Sequence, residues 1–202
     1  MFNEELQHLH LPPGLLSLTL SGFFDKSLDE VSLPDKLQEL TFGRHFDQPL
    51  DQVKLPTGLQ RLTLRDRFNQ KLDDVKLPGG LRSLTFGHDF SHGLEHVMLP
   101  EGLETLKFGE EFNQSLNGVR FPGGLQSLTF GRNFNQSLVD VNLPQSLLSL
   151  TFGDKFNQSL DNVNLPRLRS LTFGSRFRQS VERVNLLDLE QLCSQGLYVS
   201  CK

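Results

Sequence analysis

The 202-residue chain contains no tryptophan and a single tyrosine. Those two side chains dominate binding hot spots and the platforms on which nucleobases stack. Basic residues are not in excess either. The net charge is −4, which excludes the cationic stripe that a nucleic-acid backbone requires; no nucleic-acid partner is expected. No apolar run approaches the length of a bilayer span, so no membrane insertion is expected. The opening, MFNEELQHLHLPPG, lacks the basic-then-apolar order of a secretory leader, and an intracellular, cytoplasmic location is the expectation. Cysteine is confined to Cys193 and Cys201. Two cysteines do not make a disulfide framework; they either pair across the tail or stay ordinary thiols.

What is abundant is phenylalanine, with 17 copies. Phe carries no polar handle, so it suits a dry interior. Its placement is periodic. Phe2, Phe24, Phe46, Phe68, Phe90, Phe112, Phe134 and Phe156 are each 22 residues apart, and Phe177 follows one residue early. Pro12, Pro34, Pro56, Pro78, Pro100, Pro122, Pro144 and Pro166 keep the same count. The missing residue lies between Pro166 and Leu168, where LPRL replaces the usual LPxGL. A period held this long is the signature of a solenoid.

Each copy carries two apolar clusters. After Pro122 they are Leu125, Leu128 and Phe130, then Leu138, Val141 and Leu143. Each ends in a period-two alternation and is too short for a helical stripe, so two short strands per coil are predicted. LPTGL, LPEGL and LPGGL place Pro and Gly where a type I turn prefers them. Gly43, Gly87, Gly109, Gly131, Gly153 and Gly174 mark the other corner, a column broken by Ser21 and Arg65. One coil alone cannot fold. About seven apolar side chains, each worth roughly 1.5–3 kcal/mol, do not offset ordering a coil at roughly 1–2 kcal/mol per residue. Stacking lets like residues form columns about 4.8 Å apart, in a rod roughly 40 Å long. The expected fold is therefore mainly β: a right-handed parallel β-solenoid, leucine-rich-repeat-like, of eight 22-residue coils over residues 1–186. Residues 187–202 form a cap or tail, in which Leu189 and Leu192 keep the L-x-x-L spacing.

The segments FNQSL and FNQPL, following LxxLxFG and preceding LP, resemble the FNIP repeat, a 22-residue relative of leucine-rich repeats. The resemblance runs from Phe2 to about Leu186. It implies an interaction module without known catalysis. The family's name-giving proline survives here only as Pro49.

Several polar columns invite chemistry. Asn3, Asn69, Asn113, Asn135 and Asn157, with Asp25 and Asp47 in the same column, read as a stacked ladder satisfying backbone groups at a bend. The formal NQS sequons at Asn113, Asn135 and Asn157 follow from the repeat itself. His88, His92 and His96 have a metal-like spacing on a helix, yet their neighbours Phe90, Leu94 and Val97 sit in solenoid columns. Asp29, Asp51, Asp73, Glu95, Asp161 and Glu182 form an acidic column on the expected second strand, balanced by Lys54 and Lys76. Its alternatives are a solvated face or a cation site. Thr19, Thr41, Thr63, Thr85, Thr129, Thr151 and Thr172 form an exposed row, interrupted by Lys107. Such a row suits an ice-binding surface, or merely reflects the strand propensity of threonine.

No nucleophile–base–acid set, phosphate loop or Cys/His metal spacing stands out. Neither enzymatic activity, nor a metal, nor a cofactor is expected. The exposed departures from the repeat consensus are Glu39, Arg61, Arg65, Arg82, Glu104 and Lys107. Arg61, Arg65 and Arg82 are expected to make a small basic spot, a docking surface for another protein, with an acidic segment as its counterpart. The alternative is a structural subunit of a larger complex. An uncapped first coil further suggests end-to-end self-association.

Overall fold

A computed structural model describes Leu6, residues 10–194 and residues 197–199. The sheet is built from one short strand per coil: β1 Ser17–Thr19, β2 Glu39–Thr41, β3 Arg61–Thr63, β4 Ser83–Thr85, β5 Thr105–Lys107, β6 Ser127–Thr129, β7 Ser149–Thr151 and β8 Ser170–Thr172. β9 Gln191–Ser194 and β10 Leu197–Val199 follow. Strands β1 to β9 pair in parallel in chain order, and β10 returns antiparallel against β9. The register superposes Leu18, Leu40, Leu62, Leu84, Leu106, Leu128, Leu150, Leu171 and Leu192. The one-residue deletion after Pro166 is absorbed before β8, because Leu150 still faces Leu171. The expected tail thus supplies the last two strands of the sheet. Cys193 lies in β9 opposite Thr172. Cys201, and with it any pairing of the two, lies outside the described residues.

The interior is dry, with no buried polar or charged residue among those described. Behind the sheet, Phe86, Phe108, Phe130, Phe152 and Phe173 stack with centroids 5.4 to 5.6 Å apart. Beside them run Phe24, Phe46, Phe68, Phe90, Phe112, Phe134, Phe156 and Phe177, whose centroids are spaced 6.0 to 6.4 Å apart. Offset parallel stacking suits the ring quadrupole. In the coils that carry both rings the two columns touch, as Phe130 does Phe134 at 3.9 Å.

The second strand of each coil does not form. The cluster read as a strand is a succession of tight turns instead. In coil two the Val53 N–H donates to the Leu50 carbonyl and the Leu55 N–H to the Val53 carbonyl. Pro56 then has no N–H to give. Donors spent inside the coil cannot build a ladder to the next one. Among the described residues a single parallel bridge, Asn164 to Asn185, joins coils on that side. The acidic column consequently sits on a turn, not on a strand: Asp51 and Asp73 are turn residues.

The glycine corner has a steric origin. A Cβ built on Gly109 would lie 1.6 Å from the Gly87 carbonyl oxygen. Successive coils approach backbone to backbone here and hydrogen-bond across the gap, with the Asn133 N–H donating to the Glu110 carbonyl at 2.9 Å. Gly123, in the proline turn, has nothing within 4 Å of such an atom.

Candidate functional site

Each of the strands β1 to β8 turns its middle leucine inward and its two flanking residues outward, a consequence of the two-residue pleat. The outer face of the sheet is therefore a grid of side chains in register. Its first column reads Ser17, Glu39, Arg61, Ser83, Thr105, Ser127, Ser149 and Ser170, and its last reads Thr19, Thr41, Thr63, Thr85, Lys107, Thr129, Thr151 and Thr172. Just before the strands lie Arg82 and Glu104, whose own N–H groups extend the ladder. The threonine row is thus real and in register. Lys107 replaces one of its members, and Glu39 and Arg61 stand two residues away on the same face.

Of the six expected contact residues, Glu39, Arg61 and Lys107 lie on this face, and Arg82 and Glu104 immediately precede β4 and β5. Arg65 lies at the adjoining glycine corner, two residues beyond β3. The expected basic spot takes a different form. Arg61 pairs with Glu39 of the preceding coil. Arg82 pairs with Glu104 of the following coil at 2.7 Å. Both pairs are open to water, with the arginine side chains 54% and 58% exposed. Pairs this exposed contribute roughly 0–1 kcal/mol to stability. Neither Arg65 nor Lys107 has a carboxylate partner among the described residues. The result is a patch with both signs of charge, made of two ion pairs and of two cations without a carboxylate partner among the described residues.

Beside the sheet, the asparagine column forms the expected ladder. The Asn135 Oδ1 accepts from the Asn157 N–H at 2.8 Å and from the Gln158 Nε2 at 3.2 Å. Asn113 does the same for Asn135 and Gln136, and Asp47 for Asn69 and Gln70. A carboxylate or a carboxamide oxygen serves equally, which explains why Asp and Asn share the column. Ser91 interrupts it: among the described residues no bond joins Ser91 to Asn113. The glutamines Gln70, Gln136 and Gln158 that follow asparagines of the column are second donors that the sequence alone did not reveal. The serine two residues on acts as an acceptor. Ser137 Oγ accepts from the Val139 N–H, and Ser159 Oγ from the Asp161 N–H, closing the next corner.

Asn135→Ala is accordingly expected to cost about 1–2 kcal/mol, since two donors lose their acceptor. Asn135→Asp is expected to stay close to the parent, because Asp25 and Asp47 already fill this role. Denaturant melts of both variants check this; equal loss in the two would refute the acceptor role.

The three histidines fall in separate columns. His88 Nδ1 lies 2.6 Å from an Asp89 carboxylate oxygen. That hydrogen bond raises the His88 pKa against the opposing effect of desolvation, and the nearby charges of Asp89, Glu111 and Glu110 add to the rise. His92 Nε2 bonds to the Asn69 carbonyl. Among the described residues no group of three His, Cys, Asp or Glu side chains converges as a metal site. The Asp154 carboxyl is held below its usual range, chiefly by donation from the Ser175 N–H and hydroxyl and then by Arg132 and Arg176. No helix among the described residues is long and apolar enough to cross a membrane.

A family model described as FNIP Repeat matches residues 2–45, 24–67, 46–78, 68–111 and 112–155. No curated protein matches the chain. A solved structure, the crystal structure of CroV588, a novel circular LRR protein, is similar over 96% of this chain with 36% identity and a TM-score of 0.85. The chain spans 28% of that protein's length.

Proposed function

The chain belongs to the FNIP repeat family, and on that premise we propose that it is a non-catalytic scaffold that docks another protein on the outer face of its parallel sheet. Solenoids of this kind present extended, regular surfaces suited to protein partners. One observation carries the reading. Strands β6, β7 and β8 repeat the same SLT triplet, whereas β2, β3 and β5 read ELT, RLT and TLK. The buried leucine is the same in all six, so the fold does not ask for these outward charges. The partner that suits the patch offers charges of both signs. Its carboxylates engage Arg65 and Lys107 and share the guanidinium forks of Arg61 and Arg82.

The test is affinity capture with two baits, the parent chain and the triple variant Arg61→Glu, Arg65→Glu, Arg82→Glu. All three side chains are outside the core, so the variant is expected to fold, with its melting temperature lowered only modestly by the two lost ion pairs and the new Glu–Glu contacts. Proteins retained by the parent are expected to be lost from the variant. Recovery of the same proteins with both baits overturns the assignment of this face.

A further inference from the structure

We propose that the Asn117–Gly118 bond is a site of spontaneous covalent modification, at which the asparagine converts to aspartate and isoaspartate in the folded protein. Asn117 is the only asparagine in the chain followed by glycine. The others precede Gln, Glu, Phe, Leu or Val, whose side chains crowd the following peptide nitrogen. Both residues are exposed and occupy the centre of a turn closed by the Val119 N–H on the Leu116 carbonyl at 3.1 Å. Gly118 has φ +83°, a conformation glycine adopts without strain.

The two reacting groups are unrestrained. The Asn117 carboxamide has no hydrogen-bond partner among the described residues, and only its N–H is engaged, by Ser115 Oγ at 3.2 Å. The Gly118 N–H likewise has no acceptor among them. The contrast is with Asn113, Asn135 and Asn157, whose carboxamide oxygens are each fixed by the next coil.

The chemistry balances with water alone. The Gly118 nitrogen attacks the Asn117 Cγ. The new N–Cγ bond forms as the Cγ–Nδ2 bond breaks, and ammonia leaves with the peptide proton. Water then opens the cyclic imide. Cleavage at one carbonyl gives aspartate, and cleavage at the other gives isoaspartate, which carries an extra carbon in the main chain.

The two products differ in consequence. Aspartate at this position matches Asp73 and Asp161, which hold the equivalent place two coils away on either side. It adds one negative charge next to Glu95. Isoaspartate instead lengthens the backbone of one coil while its neighbours keep their period, so the corner no longer stacks in register.

The experiment incubates the folded chain at mildly alkaline pH, with a denatured sample alongside, and maps peptides by mass and chromatography. The expected result is the mass gain of an amide-to-acid exchange on the peptide holding residues 117 and 118, resolved into two products. The Asn117→Asp variant supplies the reference for one of them and is expected to melt like the parent. Asn117→Gln is expected to abolish the signal while keeping the turn glycine. Retention of the amide in the folded chain, whatever the denatured sample does, overturns the proposal. So does conversion spread evenly over Asn113, Asn135 and Asn157.

Discussion

Phe134→Ala destabilises the solenoid by about 3–5 kcal/mol, the range for emptying a fully buried phenyl site. Phe134 is completely buried. It touches Phe112 and Phe156 in its own column at 6.0 Å, and Phe130 and Phe152 of the other column at 3.9 and 6.4 Å. Removal therefore weakens the coil and both of its interfaces at once. In a nearest-neighbour array those terms add along the chain. A break in the middle lets the two halves unfold separately, so the denaturant transition is expected to broaden and its slope to fall. Phe177→Ala is the control. That ring closes its column, is only partly buried, and among the rings of the described residues meets Phe156 and Phe173. Its loss is expected to cost markedly less and to leave the transition sharp. Equal costs for the two variants would mean that the aromatic columns are not the spine of the fold.

Gly109→Ala comes next, with an expected cost of about 1–3 kcal/mol, the usual penalty for forcing atoms into filled space. The added methyl group would collide with the Gly87 carbonyl, and a backbone atom cannot swing aside as a flexible side chain can. The coils must part, which strains the neighbouring bond from the Glu111 N–H to the His88 carbonyl. Gly123→Ala offers the contrast. Its methyl group meets nothing within 4 Å, so the change is expected to fall within about 0.5 kcal/mol of neutral. Thermal melts of the pair decide the matter. Similar melting temperatures would show that the glycine corner serves chain flexibility and not close approach. Arg65 occupies the same column as Gly109, and nothing in the structure explains how that coil accommodates it.

Much of this architecture is written in the spacing of the residues. The columns of Phe134 and Leu128, the parallel register and the Asn135 ladder all follow from placing like letters over one another. The far side of the coil does not. Leu138, Val141 and Leu143 repeat the apolar pattern of Leu125, Leu128 and Phe130, and pattern alone cannot tell them apart. The difference lies in where the N–H groups go. The Val141 N–H turns back to Leu138, and the Leu143 N–H turns back to Val141. The glycine corner was visible as a column, but its cause, a carbonyl in the previous coil, is not a property of any one segment. The charge pairing was available in principle. Glu39 and Arg61, like Arg82 and Glu104, are one period apart, and residues one period apart are spatial neighbours. The expected basic spot becomes a mixed patch because Arg61 and Arg82 each stand opposite a carboxylate one period away.

The unequal fastening of the two sides has a mechanical outcome. Along the sheet, successive turns are tied by backbone bonds of fixed length. Along the back the described residues show a single backbone bridge, and the coils otherwise meet through apolar side chains. Pulling or bending the molecule should therefore leave the strand spacing unchanged and open or close the opposite side, like a book whose spine is sewn and whose pages are loose. A bound partner that spans several turns would then feel a surface of constant pitch but adjustable curvature.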